Sequence, residues 1–396
     1  MQPNPSFNPL KDRQVKFNSI KQKLTKKDFF GEAPAPFVGR WNYPNINVGI
    51  LAPIDLKENT WEYDAPRFWS SQEYQIPKII DFRSELINSR FQTNIKETNK
   101  LLEITQEVGM ASKPVEVEIN LKKTPFFRVE TNKYVAPTGP KAHLEKARIT
   151  SNSKISHKVD RVVSDYALKA QDATINLYEH GFDEHFISKI LSVGSLGIKT
   201  QRKLVPTRFS ITASDDIIGK HLINKIKENN QADHQTFFGG YLGNYYLFLI
   251  FPDPWSYELF ETYVQNNLQT ENKLEFTHDF ELLDGRKEYV KETAGGYYSV
   301  RLSILEKLKE LKKQGTVIAL RFITNEYTLP LGCWVTREAA RKSLHSKPII
   351  FSDKELMINY ARLLIKKKFN FDLDKILENS YLLRKVKHQS KLNKFF

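Results

Sequence analysis

The segment Tyr241–Phe251 constrains the fold of this chain more than any other part of it. Its residues are nearly all apolar or aromatic, which is the profile of a strand buried on both faces. Segments with helical spacing and segments with strand alternation occur on both sides of it. The chain has 396 residues, more than one typical hydrophobic core can organise. We therefore expect a mixed α/β (α+β) fold with two domains.

Periodicity predicts the individual elements. Alternation predicts strands at Asn45–Leu51, Val115–Leu121 (paired with Phe126–Val129), Leu274–Leu283 and Val317–Ile323. Helical spacing predicts helices at about Gln72–Ile104, Ile155–His180, Glu184–Val193, Asp215–Glu228, Tyr297–Gln314, Val335–Leu344 and Lys354–Lys367. We expect Ser214 and Asp215 to cap the fourth of these helices, and the basic stretch Thr131–Ser156 to be a long loop.

Shifts in composition predict the limits of the domains. Residues 1–28 are polar and rich in lysine, which predicts a flexible basic arm. The polar stretch Gln265–Lys273 predicts a boundary between an N-terminal domain (residues 29–265) and a C-terminal domain (residues 270–382). Residues 383–396 carry cations and no acid, which predicts a flexible C-terminal tail.

The basic balance of the chain bounds its partners. Sixty Lys and Arg residues against 46 Asp and Glu give a net charge of +14, which suits nucleic acid or an anionic membrane surface. No apolar run approaches the ~18 residues of a membrane span, and the N-terminus lacks an apolar signal core. The single cysteine, Cys333, excludes a disulfide framework and a cysteine-based zinc finger. We expect a cytoplasmic, nucleoid-associated protein with no membrane partner, no cofactor and no bound metal.

The segment Pro34–Gly49 combines prolines and glycines with a cation and aromatic rings. Arg40 stands beside Trp41 and close to Tyr43, which together offer a positive charge and stacking faces. Such a set suits a phosphate and an unpaired base. We take Arg40 and Tyr43 as candidate DNA-binding residues. The alternative is that the aromatic rings only anchor the turn in the core.

A second candidate surface comes from an acid-free run. No Asp or Glu occurs from Phe186 to Ser214. A cationic stretch that leads into a hydroxyl-rich turn at a helix N-terminus can bind a phosphate backbone. The candidate DNA-binding residues of this run are Lys199, Arg202, Lys203 and Arg208.

A metal-dependent nuclease would need several carboxylates that converge on Mg²⁺ or Mn²⁺. The residues that could serve are Asp215, Asp216, Asp253, Glu261 and His234, together with the group Asp183, Glu184, His180 and His185. Their spacing alone does not assemble a site. The sequence therefore names no catalytic residue and leaves open whether the protein is an enzyme.

The last eight residues spell Q-x-x-[aliphatic]-x-x-[aromatic]-[aromatic], carried by Gln389, Leu392, Phe395 and Phe396. In a 3₁₀ turn, side chains three apart lie on one face, so these residues form a two-pronged apolar plug beside an amide. Many replication and repair proteins dock on the DNA sliding clamp, PCNA, with this peptide. The burial of three apolar side chains predicts an affinity of about micromolar. The alternative is that the tail packs on its own domain.

Four segments carry a resemblance to the archaeal Nre ("novel repair") proteins. They are Phe37–Gly49 (FVGRWNYPNINVG), Arg202–Ala213 (RKLVPTRFSITA), Gly295–Tyr298 (GGYY) and Pro330–Glu338 (PLGCWVTRE). The resemblance implies an N-terminal and a C-terminal Nre domain, a part in the response to DNA damage and a partnership with the sliding clamp. Some members carry an N-terminal four-cysteine zinc site, which this chain lacks.

From these features we expect a DNA-damage repair factor that PCNA recruits through the tail and whose body binds DNA. Two alternatives stay open: a metal-dependent repair nuclease tethered to the clamp, and a clamp-bound adaptor without DNA contact. PCNA and DNA are the expected partners, and other excision-repair proteins are further candidates. The lesion recognised and the oligomeric state are not encoded in any motif.

The tail generates a first prediction. Deletion of Gln389–Phe396, or the change of Phe395 and Phe396 to Ala, should abolish association with the clamp because the apolar plug is lost. The melting temperature should not fall. Clamp binding is measured by titration calorimetry and stability by calorimetric melting. Equal clamp binding by the truncated protein would contradict the prediction, and a fall of several degrees would favour packing of the tail on its own domain.

Overall fold

The computed structural model describes residues 26–126, 139–264 and 276–388. The chain divides into two compact units: unit 1 holds residues 1–217 with 328–330, and unit 2 holds residues 218–327 with 331–396. The mixed α/β class expected from the sequence is confirmed. Most of the predicted basic arm and the peptide Gln389–Phe396 lie outside the described residues.

The described residues of unit 1 form one six-stranded sheet. Its strands are β1 (Asp28–Ala33), β2 (Ala35–Val38), β3 (Asn45–Ala52), β4 (Ile87–Asn94), β5 (Val115–Leu121) and β6 (Lys141–Ile149), in the order β1-β5-β6-β4-β3-β2. Neighbouring strands are antiparallel except β4 and β6, which run parallel. The parallel register covers only Asn88–Arg90 against Lys141–His143. The two strands therefore separate beyond Arg90.

Unit 1 also contains helices, one of which packs on the sheet. They are α1 (Pro66–Ser71), α2 (Ile76–Glu85), α3 (Lys100–Met110), α4 (His157–Ser164), α5 (Ala170–Glu179), α6 (Glu184–Ser192) and α7 (Thr207–Ile226), whose second half belongs to unit 2. Helix α3 begins at Asn99, whose side chain accepts the N–H of Leu102. Its residues Ile104 and Val108 are buried against the apolar face of the sheet. This contact forms the main core of unit 1.

A second, smaller core lies where β2 and β3 meet the helices. We call it the tip core, and its residues are Val38, Ile46, Val48, Ile95, Leu102, Val193 and Leu204. These side chains are all buried. They come from segments spread over more than 160 positions of the chain. The tip core therefore fixes several distant segments against one another.

Two helix predictions in unit 1 are wrong in part. The stretch predicted as one helix, Gln72–Ile104, contains α2, strand β4 and the start of α3. Ile87 and Phe91 fit helical spacing, but they equally fit a strand, where residues four apart share a face. The stretch Ile155–His180 holds α4 and α5 because the Asp165 carboxylate accepts the N–H groups of Ala167 and Leu168. That turn ends the first helix at Ser164.

Two further expectations for this part of the chain are also corrected. The expected loop Thr131–Ser156 contains strand β6, where buried Ala142, Leu144 and Ala147 alternate with exposed charged residues. A register shift against β5 at Asn120/Leu121 breaks the period of two and hides the strand. The expected pairing of Val115–Leu121 with Phe126–Val129 is also wrong, because β5 pairs with β1 on one side and β6 on the other. Phe126 makes an isolated bridge to Lys141, and residues 127–129 lie outside the described residues.

Unit 2 contains a second six-stranded sheet. The strands of unit 2 are β7 (Asn230–Gln231), β8 (His234–Tyr241), β9 (Asn244–Phe251), β10 (Ser256–Tyr263), β11 (Phe276–Glu281), β12 (Lys313–Gln314), β13 (Thr316–Ile323) and β14 (Ile349–Phe351). Its helices are α8 (Gly296–Leu311), α9 (Cys333–Leu344), α10 (Lys354–Phe369), α11 (Asp374–Leu377) and α12 (Tyr381–His388), together with the second half of α7. The order of the large sheet is β11-β10-β13-β9-β8-β14, and β7 pairs with β12 apart from it.

The strand that the sequence singled out lies in the centre of this sheet. Residues Leu247–Phe251 of β9 are completely buried. Side chains of α10, α11 and α12 cover one face of β9, β10 and β13. Helices α8 and α9 lie on the other side, where the Arg301 guanidinium donates to the Glu281 carboxylate at 2.8 Å with both side chains fully buried. The sheet is thus covered on both faces, as the continuous apolar profile of β9 predicts.

The boundary between the compact units does not fall in the polar stretch Gln265–Lys273. Strands β8, β9 and β10 precede that stretch and pair into one sheet with β13, which follows it. The compact units therefore divide inside α7, at Ile217/Ile218. No helix among the described residues combines the length and the apolar character that crossing a membrane requires.

A charged cluster ties α6 to the 3₁₀ turn Thr60–Asp64 in unit 1. The Asp64 carboxylate lies 2.8 Å from His185 Nε2 and 3.6 Å from Lys189 Nζ. Burial alone raises the pKa of Asp64, but His185, Lys189 and Arg83 outweigh it and hold the pKa at about 2, against an ordinary 3.8. The cluster therefore stabilises the folded state with Asp64 ionised.

The shift gives a prediction about pH. Because the folded pKa lies below the unfolded one, the contribution is complete above about pH 4 and is lost as the pH falls through about 2. Asp64→Asn should lower the free energy of unfolding of unit 1 by about 2 kcal/mol at pH 7 and by almost nothing near pH 2. Urea denaturation across this range is the measurement. Equal stability of the two proteins at pH 7 would contradict the account.

Candidate nucleic-acid interface

The hairpin that joins β2 to β3 presents Arg40, Trp41 and Tyr43. The register of the two strands and the hydrogen bond from Gly39 N–H to Asn47 O (2.7 Å) close the hairpin. A side chain at position 39 would approach Asn47 O within 3.1 Å, so glycine suits this close passage. Asn42 has a φ of +66°, a left-handed conformation that asparagine tolerates, and the Tyr43–Pro44 peptide bond is cis.

The side chains of this hairpin tip point to solvent. Trp41 is 69% exposed and Tyr43 is 58% exposed, so these aromatic rings do not anchor the turn in the core. The Arg40 guanidinium lies 4.5 Å from the centroid of the Trp41 ring. Within the part of the chain that the structure describes, Arg40 forms no ion pair with a carboxylate. The tip therefore offers an available cation and two aromatic faces.

The second candidate segment meets this hairpin at the start of α7. Thr207 is the first residue of that helix, and its hydroxyl accepts the N–H of Val38 at 2.9 Å. Ser192 Oγ lies 3.3 Å from the same hydroxyl. Bond geometry limits the Cα–Cα separation of Arg40 and Arg208 to no more than about 18 Å.

Ile95 provides a second link between the two segments. Its N–H donates to Pro44 O at 3.0 Å, and its carbonyl accepts the N–H of Leu204 at 2.9 Å. Ile95 and Leu204 also belong to the tip core beneath. Two candidate segments about 160 residues apart in sequence are therefore held side by side by backbone bonds over a shared apolar cluster.

The four cations proposed from the acid-free run divide into two kinds. The Arg202 guanidinium donates to the carbonyls of Gly197 and Val163, both at 2.7 Å, and burial lowers the pKa of this group. The Lys199 ammonium lies 4.7 Å from the centre of the Tyr166 ring. Arg202 thus supports the loop that precedes α7, whereas Lys199, Lys203 and Arg208 are exposed.

The sequence analysis missed two residues of this region. Phe209 follows Arg208 and is 48% exposed. Lys96 is also exposed and follows Ile95. Phe209 could have been noticed as an apolar residue in the first turn of a helix that starts at Thr207, but the helix was predicted to start at Asp215. We define the tip surface as Arg40, Trp41, Tyr43, Lys96, Lys203, Arg208 and Phe209.

Two of the carboxylates considered for a metal site, Glu261 and Asp183, have other partners. Ser214 and Asp215 do not cap a helix, because both are fully buried in the middle of α7. Glu261 accepts from Arg321 at 2.6 Å, and Asp183 caps α6 through the N–H of Phe186 at 2.7 Å. Within residues 26–126, 139–264 and 276–388, no group of three or more His, Cys, Asp or Glu side chains could hold a metal ion.

Comparison with known protein families gives two matches that cover nearly the whole chain. Residues 5–269 match the family model described as "Archaeal Nre, N-terminal". Residues 281–395 match the model described as "Archaeal Nre, C-terminal". The first match contains the hairpin tip and the start of α7, so every residue of the tip surface lies in the N-terminal family region.

Similar relatives come from two archaea. The chain is 33% identical to the "DNA repair protein NreA" of Haloferax volcanii over 327 residues, which cover 80% of this chain and 78% of that protein. It is 32% identical to the "DNA repair protein NreB" of Archaeoglobus fulgidus over 372 residues, which cover 93% of this chain and 92% of that protein. No solved structure matches the chain significantly.

The exposure of the tip surface generates a third prediction. Arg40→Ala and Tyr43→Ala should change the free energy of unfolding by no more than about 0.5 kcal/mol, because both side chains lie in solvent. Tyr43→Ala should weaken the binding of single-stranded DNA about tenfold, the loss expected for one stacked base. Arg40→Ala should lower the slope of log affinity against log salt by about 0.7, as for one phosphate contact.

Two exposed residues of matched chemistry serve as controls for this experiment. Tyr263 and Arg161 lie outside the tip surface, and their change to Ala should leave DNA binding as it is in the parent protein. Fluorescence anisotropy with an oligothymidine, at several salt concentrations, measures both quantities. Equal losses in the tip variants and in the controls would show that the tip makes no specific contact. Unfolding of the Arg40→Ala protein would show instead that the segment is scaffold.

Proposed function

Because the chain belongs to the archaeal Nre family, we propose that it is a DNA-repair factor whose tip surface holds DNA and whose C-terminal peptide is recruited by the sliding clamp. The curated relatives carry the name DNA repair protein, which supports the repair role. The finer assignments, to DNA binding and to the clamp PCNA, rest on the residues of this chain.

The exposed tip surface is the observation that carries the DNA-binding part of the proposal. Folding normally removes large aromatic side chains from water, yet Trp41, Tyr43 and Phe209 remain largely exposed. Aromatic faces interleaved with cations are the usual platform for single-stranded nucleic acid, since every base has a stacking face and every phosphate a charge. We therefore propose an unpaired or distorted strand as the ligand.

The clamp part of the proposal rests on the peptide Gln389–Phe396 and on what precedes it. Helix α12 ends at His388, directly before the peptide. The buried Glu258 carboxylate accepts the N–H groups of Tyr381 (2.9 Å) and Leu382 (3.1 Å) and the Ser380 hydroxyl (2.5 Å). A carboxylate at a helix N-terminus also interacts favourably with the helix dipole. The peptide thus follows a helix that is anchored on the body of unit 2.

The C-terminal peptide and the tip surface increase each other's effective affinity when both bind the same complex of clamp and DNA. A clamp that encircles DNA brings the tail-bound protein to a high local concentration beside the strand. Micromolar contacts of each kind can then combine into stable but reversible binding. This arrangement suits a factor that must reach many sites and leave them again.

The described residues favour a DNA-binding factor over the two alternatives. A clamp-tethered nuclease needs carboxylates that converge on a metal ion, and the described residues contain no group of three or more His, Cys, Asp or Glu side chains that could hold one. A pure adaptor would not require exposed aromatic rings and cations on one side of a preorganised hairpin. A DNA-binding factor, in contrast, uses both the cations and the aromatic rings.

The proposal is tested by combining the two contacts. Binding to a gapped DNA circle should be measured with and without loaded clamp for three proteins: the parent chain, a chain that lacks Gln389–Phe396, and Arg40→Ala/Tyr43→Ala. Without the clamp, the tip variant should lose at least tenfold in affinity and the truncated chain nothing. With the clamp, both should bind more weakly than the parent.

The control for the tail is Asn393→Ala, which alters a position between the motif residues and should leave clamp-dependent binding unchanged. If the truncated chain gains from the clamp as much as the parent does, the tail is not the tether. If the parent chain binds no DNA in the absence of the clamp at low salt, the body is an adaptor and the DNA-binding part of the proposal is wrong.

A further inference from the structure

A crevice of about 620 Å³ opens beside the tip surface, where the parallel strands β4 and β6 separate. Its walls are formed by Arg90–Gln92 of β4 and His143–Glu145 of β6, by Asn47 of β3, by Lys122 and by the first residues of α3. The volume falls within the range of small-molecule sites.

Arg90 is a half-buried cation that lines this crevice. Its Nε is buried and has no acceptor within the described residues, and no carboxylate among them forms an ion pair with the guanidinium. Burial lowers the pKa of Arg90. A desolvated and unpaired guanidinium is costly. The buried Arg301 and Arg321, by contrast, are paired with Glu281 and Glu261. Among the described residues, no carboxylate therefore balances Arg90 by an ion pair.

The remaining lining of the crevice matches an anion joined to a flat apolar group. Lys100, Lys122 and His143 add cations or potential cations at its mouth, against the single acid Glu145. Phe91, Leu101 and Leu144 form an apolar wall. The side-chain amides of Asn47 and Gln92 offer hydrogen bonds to a polar edge. A nucleoside phosphate carries these three chemical features together.

Strand β3 connects the crevice with the hairpin of the tip surface. Asn47, on its rim, accepts the N–H of Gly39, and the Gln92 amide donates to Asn45 O at 3.2 Å. Asn47 lies four positions after Tyr43, a span of at most about 14 Å of extended chain. A strand that stacks on Tyr43 can therefore reach the crevice within a few nucleotides.

We propose that the crevice takes one unpaired nucleotide of the DNA strand held by the tip surface. Its phosphate lies at Arg90 and Lys122, and its base lies against Phe91 and Leu101. This inference rests on the proposed function, because it requires the tip surface to hold a strand. A free nucleoside monophosphate shares the chemistry, and the experiment separates the two sources.

Lys122→Ala and Arg90→Gln test the crevice, with Lys123→Ala as the matched control because Lys123 is exposed next to Lys122 and does not line the crevice. Anisotropy is measured with an oligothymidine and with the same oligomer made abasic at every position. Lys122→Ala should lower the affinity for the oligothymidine about fivefold and lower the slope of log affinity against log salt by about 0.7. Lys123→Ala should change neither quantity. Arg90→Gln should lower the affinity for the oligothymidine and leave the melting temperature of the protein unchanged. The abasic oligomer should bind the parent chain at least tenfold more weakly.

The outcomes distinguish the crevice from the tip. If the parent chain binds the oligomer, Tyr43→Ala weakens it and both crevice variants behave like Lys123→Ala, the crevice proposal is wrong and the tip surface stands. If thymidine monophosphate protects the crevice in hydrogen exchange while Lys122→Ala leaves oligomer affinity unchanged, the site takes a free nucleotide and the strand assignment is wrong. If the parent chain binds no oligomer, both proposals fall together.

Discussion

The hydrogen bond from Val38 N–H to Thr207 Oγ1 is the constraint on which the candidate interface depends. It joins residues 169 positions apart. With the two backbone bonds of Ile95, it fixes the hairpin tip beside the start of α7. The tip core beneath excludes water from this junction, so the loss of any of these bonds would leave a backbone group without a partner. The backbone that carries the cations and rings of the tip surface is therefore already ordered before a ligand binds, which lowers the entropic cost of binding.

The pairing of charges separates scaffold from candidate surface. Arg301 and Arg321 pair with the carboxylates of Glu281 and Glu261, Arg202 donates to two carbonyls, and Lys189 contacts Asp64. Pairing of this kind is what a buried or half-buried charge requires. Among the described residues, Arg40 instead stacks on an exposed ring, and Arg90 lies half-buried with no carboxylate to balance it. These two arginines are better explained by an external anion than by the fold.

The sequence predicted what depends on local pattern. The buried strand β9, the strands β3, β5, β11 and β13 and the helices α8, α9 and α10 all occur where periodicity placed them. The predictions failed where the helical and the strand period fit the same residues, as at Ile87 and Phe91. They also failed where a register shift conceals the alternation of a strand, as in β6. The start of α7 was missed because the Thr207 hydroxyl accepts the N–H of Val38 in strand β2 and does not cap its own helix in the usual pattern. No local pattern reveals that Arg40 and Arg208 are neighbours, because their proximity arises from tertiary bonds.

The central claim is that the tip surface contacts an unpaired DNA strand. Photo-crosslinking of the full chain to an oligonucleotide that carries 5-bromouracil, followed by mass spectrometry of the linked peptides, tests it most directly. The account predicts crosslinks at Trp41, Tyr43 and Phe209, the exposed rings of the tip surface, and their loss at high salt. Crosslinks confined to residues of unit 2, with none in Gly39–Pro44 or Thr207–Ser210, would contradict it.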